Sequence, residues 1–144
     1  MSHWQTGKLS LACSMAVLKR ALLNIMPEWE QHIQEDANSG LSAENHYGYG
    51  TKTGYKIVIK LGTGDIGFKQ GPDNTWTADY DTMSIPGPMR RSGGMDGAVL
   101  QEVSAMRARA IAQLNGLPVV GDRMSGDDRI IEILAPVGQE AIRV

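Results

Sequence analysis

Asp65, Asp79 and His46 are the first candidates for acid–base chemistry in this 144-residue chain. The two aspartates fall in segments that alternate apolar and polar residues, which predicts neighbouring β-strands. Two carboxylates held close together shift each other's pKa, so that one can act as an acid and the other as a base. Solvated strand carboxylates are the alternative explanation. A small enzyme that uses these three residues is therefore one hypothesis.

A second set of side chains suits recognition. Tyr47 and Tyr49 lie in a glycine-punctuated segment, where exposed rings can stack on a ligand, although a strand with glycines at close backbone contacts is the alternative. Arg90 and Arg91 can meet phosphate or an acidic partner, or simply be solvated loop charges. The predicted ligand or partner surface consists of His3, Trp4, Tyr47, Tyr49, Asp65, Phe68, Arg90 and Arg91. With the aromatic residues, the two arginines also permit RNA or single-strand binding.

Two motifs suggest cofactors and are rejected. Gly62, Gly64 and Gly67 match the dinucleotide-binding pattern, but that pattern requires a helix to follow the last glycine, and Ile66–Gln70 alternates like a strand. A hairpin turn is the preferred interpretation. A free amine followed by His3 can bind Cu²⁺ or Ni²⁺, but a polar lead into a strand is the preferred explanation. We predict no metal and no cofactor.

A central meander positions these candidates. Its predicted strands are Tyr55–Leu61, Asp65–Gln70 and Thr75–Asp81, joined by turns rich in Gly, Pro and Asn. Alternation places Ile57 and Ile59 on one face and Val58 on the other.

The flanking segments supply helices and further strands. A strand at Thr6–Ala12 precedes a helix that Ser14 caps and Pro27 ends, and a short strand within Glu28–Gln34 is predicted to return beside the first. After a long loop at 82–97 come a helix, two strands and a loose tail, predicted at Ala98–Asn115, Leu117–Met124, Arg129–Ala135 and Pro136–Val144.

The element order predicts an α+β fold with an antiparallel sheet, because strands cluster between two helices instead of alternating with them. We expect both helices on one face, in a ferredoxin-like or related arrangement. The other face would be open to solvent or a second subunit. Residues 1–135 would form a single domain, followed by the tail at 136–144.

Composition sets further limits. The net charge of −2 favours neither nucleic acid nor an acidic membrane, and no apolar run is long enough to span a bilayer. The single Cys13 excludes an internal disulfide. Because the sequence also shows no leader-like segment, a cytoplasmic location is the simplest prediction.

Several motifs resemble domain-of-unknown-function family 1257, which includes the hypothetical chloroplast reading frame 35 proteins of algal plastids and cyanobacteria. The resemblance rests on the opening Met1-Ser2-His3-Trp4, on Asp65-Ile66-Gly67-Phe68 and on Ala78-Asp79. It implies a divergent member, because Gly64 and Thr77 replace the usual Tyr and Val. It also implies a cyanobacterial, plastid or phage-like source, with the plastid stroma as the compartment if organellar, and it transfers no catalytic residue.

The leading hypothesis is a non-enzymatic accessory or binding protein that acts through a sheet face or edge, as a homodimer with a further protein partner not identifiable from sequence. It follows because the sequence contains no convincing nucleophile–base–orienter set, metal cluster or phosphate loop.

Overall fold

The computed structural model describes residues 4–44, 50–62, 64–81, 85–89, 94–135 and 138–144. Two compact units divide the chain, residues 1–100 and 101–144. The predicted α+β class, with antiparallel sheets and two helices, is confirmed.

The described elements include ten strands and two α-helices. The strands are β1 Trp4–Ala12, β2 Ile33–Glu35, β3 Leu41–Glu44, β4 Thr51–Tyr55, β5 Ile57–Ile59, β6 Ile66–Gln70, β7 Thr75–Asp81, β8 Val119–Ser125, β9 Asp128–Ala135 and β10 Gly138–Arg143. The helices are α1 Met15–Ile25 and α2 Gly94–Leu114.

A five-stranded antiparallel sheet in the order β1-β7-β6-β5-β2 forms the first unit's core. Its middle, β5-β6-β7, is the predicted meander, and Ile57, Ile59 and Phe68 are completely buried there. Phe68 therefore lies in the core instead of on the predicted partner surface. The last glycine of the motif, Gly67, lies in β6, so the predicted strand character of Ile66–Gln70 is confirmed and no helix follows this glycine.

Helix α1 begins where the sequence predicts, because Oγ of Ser14 accepts a 3.2 Å hydrogen bond from the backbone N–H of Val17. Its buried face consists of Leu18, Ala21 and Leu22. Pro27 then starts a short 3₁₀ helix, Pro27–Gln31, which buries Trp29.

The position of β2 differs from the prediction. It pairs with β5, so that β1 and β2 occupy opposite edges of the sheet instead of lying side by side. Trp29 belongs to the 3₁₀ helix and not to a strand, since Pro27 favours the helical φ that opens this turn. The described strands do not confirm the ferredoxin-like arrangement.

A two-stranded hairpin, β3-β4, packs against β5 of the five-stranded sheet. Ala43 and Tyr55 from the hairpin pack with Val58 of β5 in one buried cluster, and Trp4 and Leu41 pack against it. A bend at Lys56 separates β4 from β5, which breaks the predicted continuous strand. Because of this bend, Tyr55 can share a cluster with Val58, which strict alternation would place on the opposite face.

The second unit contains a three-stranded antiparallel sheet in the order β10-β9-β8. Ala105 and Ala112 of α2 form a buried cluster with Ile131 and Ile133 of β9. The prediction of a loose C-terminal tail is wrong for residues 138–143, because they form β10 and pair with β9 from Ala135 to Ile130.

Candidate functional site

Asp79 is a buried carboxylate at the centre of a hydrogen-bonded group in the first unit. Its side chain accepts 2.5 Å and 2.7 Å hydrogen bonds from the hydroxyls of Thr6 and Tyr55, one at each oxygen. β7 pairs with β1 so that Thr6 stands opposite Asp79, and with β6 so that Gly67 does. Burial, followed by the hydrogen bond and charge of Asp79, raises the pKa of Tyr55 above its ordinary value. The phenol is therefore held as a donor.

Asp65 is bound to a different set of groups. Its carboxylate accepts hydrogen bonds from the backbone N–H groups of Glu44 and Leu61, at 2.9 Å and 3.2 Å, and forms a 3.0 Å ion pair with Lys60. These contacts join the start of β6 to the end of β3 and the end of β5. Asp65 and Asp79 are both buried, and each has its oxygens occupied by its own partners.

The predicted recognition residues divide into two groups. Trp4 is half-buried, and Nζ of Lys52 lies 5.2 Å from the centre of its ring, an arrangement that suits a cation–π contact. The remaining predicted residues lie outside the described part of the chain: His3, His46, Tyr47, Tyr49, Arg90 and Arg91.

An ion-pair network in the second unit was not predicted from the sequence. Arg129 binds Glu102 at 2.6 Å and is held by both oxygens of Asp122, while Arg109 bridges the same two acids at 3.5 Å and 2.5 Å. Hydrogen bonding from Arg129 lowers the pKa of Asp122, and the charges of both arginines act in the same direction. Two acids and two bases thus neutralise one another between α2, β8 and β9.

Strand β8 is an exposed edge strand of the described structure. It forms one edge of the second unit's sheet, and six of its seven residues are exposed. Val119, Val120 and Met124 are 39%, 52% and 42% exposed. Every large hydrophobic residue that is exposed in the described structure lies between Leu100 and Leu134. Apolar residues that face solvent on an edge strand are typical of a protein-binding surface.

Two kinds of feature are absent from the described residues, a metal-binding cluster and a membrane-spanning helix. Nowhere among them do three His, Cys, Asp or Glu side chains form a group that could hold a metal ion. Within the same residues, no helix has the length and apolar character needed to cross a membrane.

Comparisons with known protein families, curated proteins and solved structures gave no match.

Proposed function

We propose that this chain is a non-enzymatic binding protein that acts through the open edge of β8, and that a second copy of the chain pairs with that edge. The observation that carries the proposal is the exposure of six of seven residues of β8, a strand that pairs with β9 on one side and with no described strand on the other. The resemblance to domain-of-unknown-function family 1257 is compatible with this proposal, because it transfers no catalytic residue to this chain.

The protection of the two edges of the first unit's sheet supports this choice. Natural edge strands are kept from pairing by lysine, by shortness or by irregular register. β2 has only three residues, and β1 contains Lys8 and a register shift between Leu9 and Ala12. Residues 101–144 contain no lysine, and β8 has a register shift between Val119 and Gly121 but pairs regularly with β9 from Gly121 to Ser125.

The charges of β8 do not oppose pairing. Asp122 is neutralised by Arg109 and Arg129, and Arg123 forms a 2.9 Å ion pair with Glu132 of β9. An edge whose charges are already satisfied within its own chain presents backbone groups and apolar side chains to a partner. The desolvation cost of strand addition is correspondingly reduced.

A two-fold arrangement fits the order of residues in β8. In an antiparallel pair centred on Asp122, Val120 of each copy stands opposite Met124 of the other, because the interface is isologous. Two apolar cross-strand pairs of this kind contribute roughly 0.2–1 kcal/mol each relative to alanine pairs. The three-stranded sheets of two copies would then form one continuous six-stranded sheet.

The acid–base alternative is disfavoured by the same structure. Asp65 and Asp79 are both buried and hold strands together through hydrogen bonds. A general base requires a lone pair that is accessible to substrate, whereas these oxygens are occupied.

Light scattering coupled to size-exclusion chromatography tests the proposal. The wild-type chain is expected to run as a dimer, and Met124→Lys as a monomer, since the new charge would face its copy across the pair. Leu134→Lys is the matched control, because Leu134 is 50% exposed on β9, the central strand of the same sheet. A monomeric wild type, or a Met124→Lys dimer as stable as wild type, would contradict β8 pairing.

A further inference from the structure

A groove at the β2 edge of the first unit's sheet has the properties of a small-molecule site. It encloses about 430 Å³ where α1, the 3₁₀ helix and β2 meet, and we call it the α1–β2 groove. Pockets for small ligands typically measure about 300–1,000 Å³. The lining residues are Lys19, Arg20, Leu23, Pro27, Glu30 and Ile33.

The groove walls are held by the fold. Lys19 and Leu23 are one helical turn apart and therefore share a face of α1. Nζ of Lys19 forms a 2.7 Å ion pair with Glu35, which ties α1 to the end of β2. Ile33 pairs with Ile59, a fully buried residue of the core. These contacts indicate a concave surface that exists before any ligand arrives.

The charges of the lining are of both signs. Because Lys19 is neutralised by Glu35, the two charges left to a ligand are those of Arg20 and Glu30. Neither of these two residues takes part in an ion pair within the described part of the chain. Leu23, Pro27 and Ile33 add apolar surface between the charged groups.

We propose that the α1–β2 groove binds a small zwitterion with an apolar substituent, the chemistry of a free apolar α-amino acid. The planar guanidinium of Arg20 suits a carboxylate, which it can bind through two parallel hydrogen bonds. Glu30 suits the ammonium group, and the apolar lining suits the hydrocarbon substituent. A simple anion would meet Glu30, and a simple cation would meet Arg20, so that only a ligand with both charges satisfies both side chains.

Three probes of the same shape test this proposal in the full-length chain. They are leucine, 4-methylpentanoate, which lacks the amine, and 3-methylbutylamine, which lacks the carboxylate. In an NMR titration, leucine is expected to shift the amides of α1 and β2 saturably below about 10 mM, and each single-charge analogue to bind at least about tenfold more weakly. Equal affinity for an analogue, or no saturable shift with leucine, would overturn the proposal.

Paired variants separate the two charged contacts. Arg20→Gln is expected to weaken leucine at least about tenfold and leave 3-methylbutylamine unchanged, whereas Glu30→Gln weakens leucine and leaves 4-methylpentanoate unchanged. Glu28→Gln, on the same 3₁₀ helix but outside the groove lining, is the control and should bind leucine like wild type. If Arg20→Gln and Glu30→Gln bind leucine as tightly as the control, the assignment is refuted.

Discussion

The hydroxyl of Tyr55 donates a 2.7 Å hydrogen bond to Asp79, 24 residues further along the chain, and both side chains are buried. Thr6 donates to the other oxygen of the same carboxylate. This arrangement joins the covering hairpin to two strands of the five-stranded sheet. A buried carboxylate is tolerated there because neighbouring hydroxyl groups satisfy it.

Removing the phenol should destabilise the first unit. Tyr55→Phe keeps the ring but leaves one oxygen of Asp79 buried without its donor, which costs about 1–3 kcal/mol. Urea unfolding followed by tryptophan fluorescence measures the change. Thr53→Val removes a hydroxyl from an exposed position of the same hairpin and should stay within about 0.5 kcal/mol of wild type. A Tyr55→Phe variant as stable as the control would contradict a structural role for this hydrogen bond.

The ring of Tyr55 also explains the glycine at position 67. A Cβ atom built on Gly67 would lie 2.6 Å from Cδ1 and Cε1 of that ring, closer than packed atoms allow. Gly67→Ala should therefore displace Tyr55 and cost about 1–3 kcal/mol, measured by the same unfolding experiment. Gly87→Ala is the matched control, because no atom lies within 4 Å of its added Cβ. Equal stability of the two variants would show that Tyr55 does not need this space.

Local patterns were sufficient to predict several elements. β7 coincides with the predicted strand Thr75–Asp81, and all of its residues are buried or half-buried. The alternation of apolar and polar residues that predicted it is a local signal. Ser14 and Pro27 marked the limits of the first helix because capping and the missing proline N–H act within one turn. Such signals depend only on neighbouring residues, so they do not require knowledge of the tertiary contacts.

The candidate sites depended on distant partners and were not predictable. Asp79 and Thr6 are 73 residues apart, and Arg129 and Glu102 are 27 apart, so that no periodicity links them. The exposure of β8 follows from its place at the end of a sheet. Its sequence, with Val119, Val120 and Met124, predicts a strand but does not indicate which neighbour it lacks.

The ion-pair network of the second unit should make that unit sensitive to acid. Arg129 lowers the folded-state pKa of Asp122, so its stabilising contribution is present above the unfolded pKa of about 3.9 and is lost as pH falls through the folded value. Asp122→Asn should thus be less stable than wild type near neutral pH, and the difference should shrink below about pH 4.

Amide hydrogen exchange at Ile131 is a suitable measurement, because residues 101–144 contain neither tryptophan nor tyrosine. Asp127→Asn is the control, since Asp127 lies in the exposed turn between β8 and β9 and takes no part in the network. A stability difference for Asp122→Asn that stays constant down to about pH 3 would contradict the network's role.

Asp96 should have the opposite pH dependence. It lies in the first turn of α2, its buried Oδ1 atom receives no hydrogen bond from the described residues, and burial raises the pKa of its carboxyl group. A raised folded-state pKa means that the folded chain holds this proton more tightly, so stability falls as pH rises past the unfolded value of about 3.9. Asp96→Asn cannot ionise and should become progressively more stable than wild type as pH rises from about 4 towards 7.

Urea unfolding at several pH values measures this difference in stability between Asp96→Asn and wild type. Asp73→Asn is the control, because a hydrogen bond from Thr75 lowers the pKa of that exposed carboxyl group instead. A difference between wild type and Asp96→Asn that does not vary with pH would show that this carboxylate carries no burial cost.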